Sequence, residues 1–270
     1  MSKLAIIIPY YKLTFFRECL TSLAAQTDQR FTVYIGNDAS PENPDELLKE
    51  FEAKLNWVYK KFDDNLGGTS LTKQWERCIG LMADEEWLMI LGDDDVVGHK
   101  MVETFHKNRS AFVNDFNVVR YASQVIDDKS NTISEIFYQP KLETAINAYY
   151  RKHTGENRGS LSEFIFRASA YNHFKFRDFD LAWSADDIAV LEISAGKSIY
   201  SINDEVVYFR KSQLNITGQD HNHERKNAAL LQSTKFLLTN YLNLLNKPQK
   251  ILFVKLYDYL LLGSSKIKIS

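Results

Sequence analysis

Cysteine is scarce in this chain: 270 residues hold two, Cys19 and Cys78. That excludes a disulfide framework, and the pair lacks the spacing of a zinc site. Such usage points to a reducing compartment. Long apolar runs are missing too. The N-terminal run in "KLAIIIPYY" is broken by Pro9, too early for a signal-peptide core or a membrane span. The expected location is therefore the cytoplasm. Charge of one sign is also lacking. With 33 Lys/Arg against 35 Asp/Glu the net charge is −2, which gives no global case for a nucleic-acid partner. Low-complexity segments, internal repeats and flexible linkers are absent from the sequence.

What is present is an ordinary globular composition, 44% hydrophobic, with enough length for one large domain or two small ones. Apolar β-branched runs alternate with amphipathic stretches. "KLAIIIPYY", "RFTVYIGND", "NWVYKKF" and "EEWLMIL" predict strands buried in a sheet. Between them "FFRECLTSLAAQT", "PDELLKEFEAKL" and "SLTKQWERCIGLMA" predict helices, with Thr14 and Thr69 as caps and Pro44 in a first turn. "GHKMVETFHKN" predicts a fourth helix. This alternation predicts an α/β fold with a mostly parallel sheet, which binds ligands at the carboxyl ends of its strands. Those ends carry Pro9–Tyr11, Asn37–Asp38, Asp63–Gly68 and Asp93–Asp95. Beyond about residue 115 "NVVRYASQVID", "SLSEFIFRA" and "SIYSINDEVVYFR" predict strands with fewer helices between them. Residues from about 222 to 262 predict two helices split near Pro248. The expected partition is a domain over 1–217, with halves at about 1–115 and 116–217, and a helical extension over 218–270.

Three adjacent aspartates, Asp93, Asp94 and Asp95, end the fourth strand after Gly92. Like charges side by side repel, and each raises the pKa of the next. A divalent cation removes that repulsion, and carboxylates suit Mg²⁺ or Mn²⁺ bridging to phosphates. The competing explanation is capping of the next helix, which accounts for one or two acids better than for three. In an extended segment Asp93 and Asp95 point one way and Asp94 the other. Asp38, in "GNDAS", suits either a turn or an acceptor for a base or ribose. "DNLGGTSL" lets backbone approach a ligand but has neither P-loop nor dinucleotide spacing. "WSADDIAVLE" fits a capping box of Ser184 with Asp187, or a general base at Asp186 or Asp187. Trp75 is expected in the core. The histidines are scattered, and only His221-x-His223 suggests metal, though a surface loop is the more common explanation.

Taken in order, these motifs resemble the family 2 glycosyltransferases of the GT-A fold, over roughly residues 3 to 217. "AIIIPYYK" with "FFRECLTSLAAQT" is similar to that family's first strand and helix. "VYIGNDAS" resembles its strand ending in a nucleotide-binding aspartate, which implies Asp38. "NLGGTSLTKQWERCIGLMADEEWLMILGDDD" is similar to the stretch ending in its metal-binding D-x-D. "WSADDIAVLEISAGK" resembles its acidic pair, whose second acid is the base, implying Asp187. "VVYFRKSQLNIT" implies a substrate-side role for Arg210. The chain departs twice: Gly92 stands where the family commonly has Asp, and the pair is Asp186–Asp187 rather than Glu–Asp. The first departure moves the D-x-D frame to Asp93 and Asp95, with Asp94 open.

The resemblance implies a metal-dependent inverting transfer from a nucleotide-diphosphate sugar, most simply a UDP-sugar, to an acceptor hydroxyl, in surface polysaccharide or glycoconjugate synthesis. Pro9, Tyr10, Tyr11, Asp38, Asn65, Gly67, Asp93 and Asp94 would hold the nucleotide. Asp93, Asp95 and Asp94 would hold Mn²⁺ or Mg²⁺. Asp187, with Asp186, would be catalytic, and Trp183 and Arg210 would lie toward the saccharide or lipid-linked saccharide acceptor. The alternatives are a sugar-1-phosphate nucleotidyltransferase and a non-catalytic glycan- or cation-binding module. The first needs a Gly- and Arg-rich phosphate loop near the N-terminus, and "PYYKLTFF" is not one. From His221 onward eight Lys/Arg face only Glu224 and Asp258 among many Leu, Phe and Tyr. That pattern suits peripheral contact with an anionic membrane, or a helical hairpin packed on the domain or on a second copy.

Overall fold

The computed structural model describes residues 4–218 and 221–263. Its first half runs β1 (Leu4–Tyr10), α1 (Phe16–Ala24), β2 (Phe31–Asn37), α2 (Asp45–Lys49), β3 (Trp57–Lys61), α3 (Leu71–Ile79) and β4 (Trp87–Ile90). Then follow β5 (Val96–Val97), α4 (Met101–Phe112), β6 (Val118–Ile126), β7 (Leu142–Thr144), α5 (Ala145–His153), β8 (Phe164–Arg167) and α6 (Ala168–Phe174). The chain closes with α7 (Ala185–Ser194), β9 (Ser198–Arg210), α8 (His223–Tyr241) and α9 (Lys247–Leu262).

Among the described residues, nine strands form one sheet in the order β3-β2-β1-β4-β8-β6-β9-β5, with β7 also on β9. The first four are parallel, as strand–helix alternation predicts. Beyond β4 the sheet is mixed. β8 runs antiparallel to β4 and β6, while β6 and β9 are parallel. The expected halves at about residue 115 therefore share one sheet, joined at β4 and β8.

β1 shows why its run reads as unbroken apolar. Leu4, Ile6 and Ile8 enter the core on one face, Ala5 and Ile7 the core on the other. Successive side chains alternate faces, and helices cover both. β2 is buried along its whole length for the same reason.

Two expected caps shift. Ser70, not Thr69, caps α3 by accepting the Lys73 N–H. Thr14 caps nothing, since α1 starts after Phe15 with no side-chain cap. The split before Pro248 is confirmed: Asn246 and Gln249 form a capping box, and the proline sits in the first turn of α9. α9 docks through buried Phe253, whose ring stacks on Tyr149 at 5.3 Å, and through a Gln249–Asn147 hydrogen bond of 2.8 Å. His221 and His223 are exposed. Lys266 and Lys268 lie outside the described residues. No described helix is long and apolar enough to cross a membrane.

Candidate active site

The carboxyl ends of β1, β2 and β4 meet at one edge of the sheet. A cleft of about 640 Å³ opens there, lined by Pro9, Trp75, Asp93–Asp95, Lys152, Trp183, Asp186 and Asp187, among others. Trp75 is half-buried: it packs against the core, edge-on to Phe176 at 5.3 Å, and also forms part of the cleft wall. Tyr10, Tyr11, Asp38, Asn65, Gly67 and Arg210 do not line this cleft.

The three aspartates differ in what holds them. Asp95 is buried, and both its oxygens take donors: Oδ1 the Arg210 N–H at 2.8 Å, Oδ2 the Ser162 hydroxyl at 2.5 Å. Asp93 uses Oδ2 alone, accepting the Tyr11 and Lys12 N–H groups at 2.7 and 2.8 Å. Asp94 receives one long contact, 3.4 Å from Asn215 to Oδ2. Among the described residues no side-chain donor reaches Oδ1 of Asp93 or Oδ1 of Asp94. Position 92 takes part in this geometry. A Cβ on Gly92 would meet Asp94 Oδ1 at 2.8 Å and Asp95 Oδ2 at 3.1 Å. The missing side chain leaves the space into which Asp94 folds.

Desolvation, then the charge of Asp94, pushes Asp93 and Asp95 up to about 7. Asp94 is raised as well, chiefly by burial. A carboxyl whose folded pKa exceeds its unfolded value opposes folding once ionised. That penalty begins above about pH 4 in the unfolded reference and is complete once pH passes the folded value of about 7. A cation offsets it. At one fixed concentration, about a hundredfold above the Kd at pH 8, Mn²⁺ or Mg²⁺ should therefore raise the melting temperature by about 5 °C at pH 8 and by less at pH 5.5. Equal shifts at both pH values, by differential scanning fluorimetry, would count against a cation at these carboxylates.

Beside the cleft lies a shelf built on Asp38. Its Oδ1 accepts the Leu66 N–H at 2.8 Å and its Oδ2 the Gly67 N–H at 2.9 Å, and Arg77 pairs with it from α3. A Cβ on Gly67 would meet Oδ2 at 2.5 Å, so only glycine permits this approach. The Arg77 guanidinium stacks on Phe62 at 4.0 Å. Asn65 reaches the Tyr11 hydroxyl at 3.1 Å. Tyr10 turns inward, its hydroxyl donating to the Glu42 carbonyl at 2.8 Å.

Arg210, expected toward the substrate, is fully buried. Nε donates to the Asp94 carbonyl, Nη1 to the Asp127 carbonyl and Ser130 Oγ, and Nη2 to Glu18, at 2.6–3.1 Å. It is a strut under the aspartates. Across the cleft, Leu181, Ala182 and Ser184 all have left-handed backbones, φ 56°, 51° and 65°. Ser184 makes no side-chain cap, so the expected capping box is not formed. This strained turn presents Trp183 and then the acid pair at the first turn of α7.

Several residues of the site have no sequence signal. Lys152, Ser162 and Arg77 read as ordinary helix-face or loop residues. Only the fold carries Lys152 Nζ to Asp187, at 2.7 and 2.8 Å from its two oxygens.

The model of glycosyl transferase family 2 matches residues 5–179. A 110-residue stretch, 40% of this chain, is 28% identical to glycosyltransferase GlyG of Streptococcus pneumoniae serotype 4, and the alignment spans 35% of that protein's length. S. aureus TarS 1-349 superposes with a TM-score of 0.68 at 15% identity, over 99% of this chain and 75% of that one. Its complex with UDP-GlcNAc gives 0.71 at 15% identity, over 96% and 72%. Mannosyltransferase PcManGT of Pyrobaculum calidifontis, solved with GDP-Man and Mn²⁺, gives 0.63 at 12% identity, over 97% and 70%. At such identities the structural likeness is one of fold.

Proposed function

Since the chain belongs to glycosyl transferase family 2 and carries a GT-A-like fold, we propose that it transfers a sugar, with inversion, from a UDP-linked donor to an acceptor hydroxyl. The observation that carries this reading is one cleft lined by two separate acidic sets, Asp93–Asp94 at the end of β4 and Asp186–Asp187 at the start of α7. One suits a diphosphate-bound cation, the other a base.

The nucleotide lies on the shelf of Asp38, Asn65, Gly67, Tyr11 and Arg77, with Pro9 leading into the cleft. Tyr10 supports that turn from below. The free Oδ1 atoms of Asp93 and Asp94 fit Mg²⁺ or Mn²⁺, which takes few carboxylates and completes its shell with phosphate and water. Asp95 holds the turn in place. A bound cation supplies charge stabilisation to the departing diphosphate. Support for nucleotide sugar and metal comes from TarS bound to UDP and UDP-GlcNAc, and from PcManGT with GDP-Man and Mn²⁺. The acid pair takes the acceptor proton, and Trp183 and Trp75 offer faces for a sugar ring. The test is to incubate the protein with Mn²⁺ or Mg²⁺, UDP- and GDP-sugars and saccharide acceptors, and to measure nucleotide release. Release from a UDP-sugar is expected. A binding module releases none, and a nucleotidyltransferase requires UTP and yields pyrophosphate; either result overturns the reading.

We also propose that α9 makes peripheral contact with an anionic membrane at the cytoplasmic face. Ile251, Val254, Leu261 and Leu262 stay exposed beside Lys247 and Lys255. In flotation, the protein should rise with anionic vesicles and Ile251→Glu should weaken this at least fivefold. Protein left wholly in solution, or a dimer burying the same face, argues for a different covering of this face.

A further inference from the structure

We propose that Lys152 is a positioning residue that divides the labour of the acid pair, occupying both oxygens of Asp187 and leaving Asp186 to take the acceptor proton. This rests on the transferase reading above and departs from the family resemblance, which implies Asp187.

The geometry separates the two acids. Asp187 turns toward α5, where Lys152 Nζ bonds both its oxygens, and its side chain is 9% exposed. Besides the cleft, it lines a small pocket of about 20 Å³ with Arg120, Tyr149, Lys152 and Arg158. Asp186 lines the cleft and not that small pocket. No side chain among the described residues donates to it; the charge of Lys152, then the N–H groups of Asp187 and Asp186 in the first turn of α7, favour its anion. Both oxygens of Asp187 are thus occupied by one ammonium, whereas Asp186 has none taken by a side chain, and a base must have an oxygen within hydrogen-bond reach of the proton it takes.

The electrostatics agree. Burial, then the charge of Asp187, pushes Asp186 up to about 6. A base with that pKa is mostly ionised at neutral pH and still holds a proton well. Burial works against the charge on Lys152, but Asp187 and Asp186 outweigh it and keep its pKa above the ordinary lysine value. Burial and then Lys152 hold His153 down to about 4, so the imidazole is neutral. Lys152 is therefore the cation that faces the pair from α5. Arg158 approaches from the following loop and Arg120 from β6, with Asp93, Asp94 and Asp95 on the same cleft.

In the step itself, the acceptor oxygen bonds to the anomeric carbon as its proton passes to a carboxylate oxygen of Asp186. The bond from that carbon to the diphosphate oxygen breaks, and its electron pair leaves with the nucleoside diphosphate.

The test is kcat against pH at saturating donor and metal, where the titration of the cation site no longer limits the rate. Wild type should lose activity below an inflection near 6, the value of Asp186. Lys152→Met removes a cation that favours the anionic pair, so the inflection should rise by about one pH unit, and Lys152→Arg should return it. Lys152→Gln, which keeps a hydrogen-bond donor without the charge, should show the same rise if the Met variant folds poorly. Asp186→Asn should lower kcat about 10²–10⁴-fold with donor affinity unchanged, and more than Asp187→Asn does. An inflection unmoved in both uncharged variants makes the ion pair merely structural. A larger loss in Asp187→Asn returns the base to Asp187. Wild type that transfers no sugar defeats the transferase reading instead.

Discussion

Asp94→Asn should lower turnover at saturating donor by about a thousandfold with little change in melting temperature, while Asp95→Asn should chiefly lower the melting temperature. Among the described residues the carboxylate of Asp94 takes one side-chain hydrogen bond, a long one of 3.4 Å from Asn215, so little of the fold depends on it. In the proposed transferase its Oδ1 would serve the cation on the diphosphate. Charge stabilisation by a bound cation is worth several kcal/mol, and each 1.36 kcal/mol is about tenfold in rate. Asp95 is 2% exposed and joins Arg210 N–H to Ser162, whose oxygen also receives the Gly92 N–H at 3.1 Å. An amide there keeps one acceptor and adds a buried donor, which costs about 2–4 kcal/mol. For a domain of this size that is a fall of about 5–10 °C. Steady-state kinetics beside thermal unfolding reads both. Asp95→Asn with wild-type stability and Asp94-like kinetics would reverse the roles.

Arg210→Lys should cost about 3–5 kcal/mol in urea unfolding. The arginine fork serves two carbonyls, a hydroxyl and a carboxylate at once, with its plane on Phe15 at 4.3 Å. A lysine ammonium is a single point and cannot reach acceptors spread along the fork. Glu18→Gln tests the same cluster from its wet side. Its side chain is 47% exposed, so the loss should stay below about 1 kcal/mol. Equal losses in the two variants would mean that the ion pair, not the buried fork, carries the stability.

The first half of the fold was legible because its signals are local. Runs such as Leu4–Ile8 are buried on both faces, and amphipathic helices separate them. The mixed second half was harder. β5 and β7 are two and three residues long and form only because β9 lies beside them. The strand ends carried the acids, as their order suggested. Which oxygen faces a ligand was beyond the sequence, because Ser162 and Arg210 reach Asp95 from 67 and 115 residues away. Ser184 misled for a different reason. Its spacing to Asp187 fits a capping box, but the chain enters α7 through a left-handed turn that points the hydroxyl elsewhere.

One contact has a thermodynamic consequence. Asp93 Oδ2 holds the Tyr11 and Lys12 amides, and in the proposed transferase that turn meets the nucleotide while Oδ1 would meet the cation. A single rigid carboxylate thus belongs to two sites. Any factor by which metal raises donor affinity must equal the factor by which donor raises metal affinity. The two ligands then behave as one cooperative unit, and neither order of arrival is privileged at equilibrium.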